Sequence, residues 1–171
     1  MAAAAAFGTP PPHPSARLLR RVEALWLNLE EVSERRPPEP VSAAWLRREI
    51  ETIMAEKVGF GRDERGLLTA AERMSELEAD YLPRVCRSRG SRAYNYDLVE
   101  VFELENMLEV GLAVAAAALR RTETRGCHNR MDHPFLCDEH WRVHLLVTKR
   151  GPDYGVEKIP VVARERRGKA S

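Results

Sequence analysis

The strongest constraint on the fold is a long helical pattern in the middle of the chain. The apolar residues Val101, Leu104, Leu108 and Leu112 recur at spacings of three and four, which places them on one face of a helix. The alanines after Val114 are small enough to let a neighbouring helix approach closely. A helix with such a stripe must bury it, and so the sequence predicts a fold built from packed helices.

The beginning of this helix carries its own signal. Asp97 is a suitable N-cap, Glu100 completes a capping box three residues later, and Tyr96 with Val101 is spaced as a hydrophobic staple. We therefore predict a helix over 97–121, whose terminal arginines suit the negative end of the helix dipole.

Two shorter segments upstream, 44–58 and 63–82, show the same period. Their apolar faces comprise Leu46, Ile50, Ile53 and Met54 in the first segment and Leu67, Ala71, Met74, Leu77 and Tyr81 in the second. We expect Gly59 to end the first helix in the left-handed conformation and Asp63 to cap the second. The short connection favours an antiparallel hairpin. The predicted fold class is all-α, an antiparallel three-helix bundle of spectrin-repeat-like form.

The remaining segments are expected to flank this bundle. Apolar residues spaced by three and four after Ser15 predict an accessory N-terminal helix that stops before the prolines at 37–40. Alternation at Val143 and beyond, with a Gly-Pro turn, predicts a small C-terminal β-hairpin. The expected division is a disordered leader at 1–14, the accessory helix and linker at 15–41, the bundle with its following loop at 42–134, the hairpin at 135–163 and a basic tail at 164–171.

Composition excludes several function classes. The net charge is only +1, so no one-signed field favours nucleic acid or an anionic membrane as a partner. The three cysteines Cys86, Cys127 and Cys137 are too few for a disulfide-stapled secreted domain and fit reduced thiols. Neither a signal peptide nor a membrane-inserting segment is supported, and the expected location is cytoplasmic.

A cluster of possible metal ligands follows the long helix. It consists of Cys127, His128, His133, Cys137 and His140. Structural zinc sites gather ligands through tight knuckles on each side, whereas Cys127 and His128 are adjacent and cannot easily share a tetrahedron. We therefore expect no metal site. Cys127 as a nucleophile is also disfavoured, because neighbouring side chains in extended chain point apart, and a semi-buried loop residue is expected instead.

Dinucleotide binding fails a simple test on the glycines. Gly59 and Gly61 are followed by Glu64 where a third glycine would be needed, and they come after a helix rather than a strand. No site for a cofactor such as FAD is expected in this chain.

The run 122–134, Thr-Glu-Thr-Arg-Gly-Cys-His-Asn-Arg-Met-Asp-His-Pro, has an order of residue types that resembles a family signature. The pattern Glu-[Ser/Thr]-Arg-Gly-x-His followed by an acidic residue near a proline is similar to the C-terminal helical region of succinate dehydrogenase and fumarate reductase flavoprotein subunits, with L-aspartate oxidase as close kin. The stretches from Arg62 to Leu67, from Tyr94 to Glu100 and from Asp138 to Leu145 resemble other pieces of that region in the same order. The succinate/fumarate branch is the favoured one.

The resemblance implies a part of an FAD-dependent oxidoreductase, without the FAD and substrate-binding modules that hold its catalytic residues. It implies no catalytic residue here, and a structural or domain-contact role for Glu123, Arg125, Gly126 and His128. FAD would belong to the full-length protein. The implied partners are the FAD domain or flavoprotein subunit and an iron-sulfur subunit, which would place the chain at the cytoplasmic membrane face.

Two other functions stay open at this point. The chain could be the C-terminal domain of an L-aspartate oxidase, which shares the Arg-Gly-x-His motif. It could also be a stand-alone interaction module that docks through the 122–134 run and the apolar stripe of its N-terminal helix.

Overall fold

The computed structural model describes residues 37–85, 96–151 and 153–161, together with residues 19, 20 and 23. The chain divides into two compact units, Met1–Arg35 and Arg36–Ser171. Residues 19, 20 and 23 of the first unit are helical. The rest of the predicted accessory helix, the leader and the basic tail lie outside the described residues. The fold below is that of the second unit.

Helices dominate this unit, and the predicted fold class is confirmed. The elements are α1 (Ala43–Lys57), β1 (Gly61–Arg62), α2 (Glu64–Glu76), a π-helical turn (Leu77–Tyr81), a 3₁₀ turn (Leu82–Arg84), α3 (Tyr96–Arg120), β2 (Asn129–Arg130), α4 (Asp138–Trp141), β3 (Val143–Arg150) and β4 (Asp153–Pro160). Ser42 caps α1, and the Asp63 carboxylate accepts a bond of 2.6 Å from the Gly66 amide to cap α2. The predicted cap of α3 is the side chain of Asp97, which lies outside the described residues.

The core lies where α1, α2 and α3 meet. Its buried apolar residues are Leu46, Ile50, Leu67, Ala70, Met74, Leu77, Val101, Leu104, Leu108, Leu112, Ala115 and Ala118. The stripe predicted on α3 is therefore confirmed. On the second helix Ala70, not Ala71, is fully buried, and Tyr81 is half-buried at the end of the π-helical turn. Its ring stacks near Trp45, with the ring centroids 5.3 Å apart.

The expected left-handed conformation at Gly59 is wrong. Among the described glycines only Gly126 and Gly151 have positive φ. A glycine is instead needed at position 59 for space, because a Cβ there would lie 2.3 Å from the Ala55 carbonyl oxygen. Arg62 provides hydrogen-bond donors at the end of α1, because its Nε donates to the carbonyl oxygens of Val58 and Gly59.

The predicted C-terminal hairpin is present. β3 and β4 pair antiparallel from Val143 opposite Pro160 to Arg150 opposite Asp153, so the pairing continues up to the predicted Gly-Pro turn. Gly151, with φ of 64°, supplies the tight turn. The hairpin packs on α3.

A second, two-stranded parallel sheet was not predicted. β1 pairs with β2 so that Gly61 lies opposite Asn129 and Arg62 opposite Arg130. This pairing joins the α1–α2 connection to the loop that follows α3. It thereby sets the position of that loop against the bundle. Within the described part of the chain, no helix combines the length and hydropathy that crossing a bilayer requires.

Replacing Gly59 by alanine is expected to destabilise the fold by about 1–3 kcal/mol, because the new methyl group overlaps a backbone carbonyl that cannot move freely. Urea unfolding measures the change. The matched control is Gly61→Ala, whose Cβ would lie 3.4 Å from the end of the flexible Met131 side chain. Equal free energies of unfolding for the two variants would contradict the close approach at Gly59.

Candidate functional site

The loop at 121–138, here called the motif loop, contains all four residues singled out from sequence. Arg125 and His128 close a tight turn with reciprocal backbone bonds of 2.8 and 3.0 Å. Gly126 sits inside the turn with φ of 57°, a conformation that favours glycine. Cys127 is exposed at the tip of this turn, so the expectation of a semi-buried residue is wrong. The two backbone bonds that close the turn join Arg125 and His128 and leave Cys127 projecting between them.

Glu123 is the buried acceptor at the centre of the loop, with no exposed surface. Its Oε1 accepts bonds of 2.6 Å from Arg121 and 2.7 Å from Arg125, and its Oε2 accepts from Arg125 and from the Cys137 amide. Arg125 also pairs with Asp138 on the surface. One carboxylate therefore joins the end of α3, the tight turn and the start of α4.

The charge of Glu123 is stabilised by these donors. Burial alone would raise its pKa, but the bonds from Arg125, the Cys137 amide and Arg121 lower the pKa to about 2. Glu123 is thus ionised at neutral pH and fully engaged within the chain.

Arg121 links the loop to the hairpin. Its guanidinium donates to the carbonyls of Trp141 and Val143 and lies 5.4 Å from the centre of the Trp141 ring. The Trp141 ring is buried and also carries Lys158 on a face, 3.5 Å from its centre. These contacts hold the hairpin against the same residue that pairs with Glu123.

Arg130 and Asp132 form a second ion pair that the sequence reasoning did not assign to the site. Arg130 is buried. Its Nε donates to Oδ1 of Asp132 and its Nη2 donates to Oδ2, and both bonds are 2.8 Å long. Its Nη1 donates to three carbonyls at the end of α3, those of Ala118, Leu119 and Arg121. The bonds from Arg130 hold the pKa of Asp132 well below its usual range. The only sequence signal was the pattern Arg-x-Asp inside the signature run.

Asp132 extends this pair to a second helix. Its Oδ2 accepts a bond of 2.9 Å from the Glu64 amide at the start of α2. Thr124 completes the polar interior, because its hydroxyl bonds the carbonyl of His133 and accepts from the Arg130 amide. The loop is consequently fixed to the ends of both α2 and α3.

His128 is held between two arginines in a defined tautomer. Arg62 Nη1 lies 2.8 Å from Nδ1, and the Arg121 carbonyl oxygen lies 3.1 Å from Nε2. A guanidinium only donates, so Nδ1 must accept and Nε2 must carry the proton. Burial first, and then the nearby charges of Arg62, Arg130 and Arg121, lower the pKa of His128. The neutral ring is therefore the form present at pH 7.

A shallow groove of about 280 Å³ lies beside this histidine. Its walls are Val114, Ala117 and Leu145, and Arg62, Arg121 and His128 form its polar side. A larger open depression of about 520 Å³ is lined by Asp63, Glu64, Arg65, Leu68 and Asp132.

The possible metal ligands named from sequence do not form a cluster. Over the ranges 37–85, 96–151 and 153–161, no group of three or more His, Cys, Asp and Glu side chains could hold an ion. His128 instead bonds Arg62 and a backbone carbonyl, and Cys137 contributes its amide to Glu123.

Comparison with known proteins identifies the class to which this fold and loop belong. The sequence profile described as "Fumarate reductase flavoprotein C-term" matches residues 47–167, which include the bundle, the motif loop and the hairpin. The chain belongs to this family of flavoprotein C-terminal domains, as the signature run predicted.

Individual relatives agree with this assignment. The succinate dehydrogenase flavoprotein subunit of Coxiella burnetii is 34% identical over 116 residues, covering 68% of this chain and 20% of its own length. The L-aspartate oxidase of Streptomyces coelicolor is 36% identical over 117 residues, covering 68% of this chain and 20% of its own length. This chain thus matches about a fifth of each relative.

The fold is also found in solved structures. A variant of quinol fumarate reductase from E. coli superposes with a TM-score of 0.80 at 24% identity, covering 95% of this chain and 27% of that chain. At this identity the likeness establishes the fold alone.

Replacing Glu123 by glutamine is expected to lower the free energy of unfolding by about 2–3 kcal/mol. The loss is smaller than the roughly 3–5 kcal/mol typical of a broken buried pair, because Arg125 reaches solvent. Denaturant unfolding provides the measurement. The control Glu103→Gln breaks an exposed pair with Arg47 and should cost at most about 1 kcal/mol. A smaller effect at position 123 than at 103 would refute the central role of this carboxylate.

His128 is expected to make stability fall as the pH drops below about 6.5, the usual histidine pKa in an unfolded chain. Its pKa is lower in the folded protein, so the unfolded chain binds the proton more tightly and acid favours unfolding. Above this window the histidine contributes no pH dependence.

The measurement is the free energy of unfolding of wild type and His128→Gln between about pH 5 and pH 7. The variant should lose this part of the slope, whereas the exposed control His140→Gln should keep it. Parallel curves for wild type and His128→Gln would contradict the buried neutral ring.

Proposed function

We propose that this chain acts as the C-terminal helical domain of an FAD-dependent oxidoreductase of the succinate dehydrogenase/fumarate reductase type and is not catalytic by itself. The observation that carries the proposal is that the carboxylates of the motif loop already accept hydrogen bonds from the same chain. Both oxygens of Glu123 and both oxygens of Asp132 are occupied by donors from the chain itself. Groups engaged in this way support a scaffold rather than a reaction centre. The family match supplies the class of enzyme.

FAD would be held by the part of the flavoprotein that the relatives have outside the matched fifth. The described residues do not fit it. The groove beside His128 is below the roughly 300–1,000 Å³ usual for ligand sites. The larger depression is lined by three carboxylates, those of Asp63, Glu64 and Asp132, against the single guanidinium of Arg65, and this excess of negative charge would repel a diphosphate. This chain's contribution is to fix a surface against which the flavin-binding part packs.

The proposed partners are accordingly the flavin-binding domain or subunit and, in the assembled enzyme, an iron-sulfur subunit. In this proposal 42–134 and 135–163 act together, because Arg121 bonds both Glu123 and the start of the hairpin. The assembled enzyme would sit at the cytoplasmic membrane face.

A second candidate is the C-terminal domain of an L-aspartate oxidase. The relatives of the two branches are 34% and 36% identical to this chain, which does not separate them. A stand-alone interaction module built on the same fold is a third candidate, and it differs in having no covalent link to a flavin-binding part.

The test is a fusion. We expect the Coxiella burnetii subunit, with its own C-terminal fifth replaced by this chain, to retain FAD and oxidise succinate. The chain alone should do neither, because the proposal assigns FAD to the part of the subunit outside the matched fifth. FAD absorbance of the purified protein and a dye-coupled succinate assay give the two readouts.

The control is the same subunit truncated without a replacement. A fusion no more active than this control would overturn the proposal, and so would FAD binding with succinate turnover by the chain alone. A parallel fusion with the Streptomyces coelicolor L-aspartate oxidase separates the branches, since recovery in that protein alone favours the second candidate.

A further inference from the structure

Of the described arginines whose side chains bond within the motif loop or to it, Arg62 alone lacks a carboxylate partner among the described residues. Arg121 and Arg125 pair with Glu123, and Arg130 pairs with Asp132. Arg62 instead bonds the carbonyls of Val58 and Gly59 and the neutral ring of His128. A half-buried guanidinium with only neutral acceptors has a charge that is not balanced.

The surroundings of Arg62 make this imbalance costly. Burial lowers its pKa, which reflects the loss of water around the charged form. Arg130 and Arg121 also add positive charge around His128. The end of α1 offsets the charge of Arg62 only in part, because helix carbonyls carry a fractional negative charge.

The groove beside Arg62 has a defined shape and polarity. Val114 of α3 and Leu145 of β3 form aliphatic walls, and Ala117 leaves the floor open. Val114 is 37% exposed, so its side chain is accessible from the groove. The volume of about 280 Å³ suits one or two side chains rather than a cofactor.

We propose that this groove receives an acidic side chain from the surface of the flavin-binding part, with the carboxylate paired to Arg62 and its aliphatic stem against Val114 and Leu145. The inference rests on the proposed function and names the contact through which the two parts dock. Charge complementarity carries it, because a carboxylate supplies the missing counter-ion, and guanidinium–carboxylate pairs are strong when water is excluded.

A free dicarboxylate and a second copy of this chain are the other possible occupants. A free dicarboxylate would need a cation for each of its ends, and the second arginine of the groove, Arg121, already pairs with Glu123. A second copy would have to offer an acidic residue to the same groove, which makes association depend on the concentration of this chain.

The experiment measures association of the full chain with the Coxiella burnetii subunit lacking its C-terminal fifth, by biolayer interferometry at low salt and at about 0.3 M salt. Val114→Asp is the main variant, because it adds a negative charge to the groove without removing any bond of Arg62. We expect it to weaken association about tenfold or more. The control is Val110→Asp, one helical turn earlier, 62% exposed and outside the groove, which should bind like wild type.

Arg62→Gln provides the second variant. It keeps hydrogen-bond donors but removes the charge, so it should weaken binding and reduce its salt dependence. Thermal unfolding of each variant alone separates loss of docking from loss of folding. If Arg62→Gln does not fold, the association measured for Val114→Asp still tests the groove.

The outcomes distinguish the two proposals. Wild-type chain that does not associate overturns the groove, whereas the proposed function is overturned by an inactive fusion. Wild type that associates, with Val114→Asp equal to Val110→Asp, overturns the groove alone. Succinate binding by the chain alone that Val114→Asp abolishes, or self-association that it abolishes, would assign the groove to a free dicarboxylate or to a second copy and also overturn the inference.

Discussion

The ion pair between the buried Arg130 and the partly exposed Asp132 connects the ends of two helices and fixes the position of the motif loop. The Arg130 cation meets the carbonyl end of α3, and the Asp132 anion meets the amide end of α2. Each charge therefore lies at the helix end whose dipole it favours, an effect of about 0.3–1 kcal/mol per end and up to about 2 kcal/mol when partly buried. Burying the Arg130 cation is expensive, and these contacts offset the cost.

The polar layer built on this pair complements the apolar bundle. The apolar core of α1, α2 and α3 holds the helices together, but it does not determine the direction of the chain after Arg120. Pairing of β1 with β2 and the bonds of Thr124 fix that direction. Glu123 then joins the end of α3 to α4, and Arg121 carries the constraint into the hairpin.

Sequence reasoning predicted the bundle because periodicity and caps are local signals. The α3 stripe, the Asp63 cap and the hairpin all follow from spacing within a few residues. The buried position of Arg130 could not be predicted in this way, since a charged residue carries no hydrophobic signal and its acceptors come from another segment. Gly59 shows the same limit, because its role depends on the Ala55 carbonyl and not on its own backbone preference.

The hydrogen bonds within the motif loop make it rigid and still leave Arg62 able to pair with a partner's carboxylate. Side chains already fixed by bonds lose little freedom when a partner docks, so less of the binding free energy is spent on ordering them. Glu123 and Arg130 meet this condition, and His128 holds Arg62 in place through Nδ1. An acidic side chain that reached Arg62 would find its donor already oriented. The unpaired charge of Arg62 destabilises the isolated chain. In the proposed contact the same charge contributes favourably to the free energy of binding.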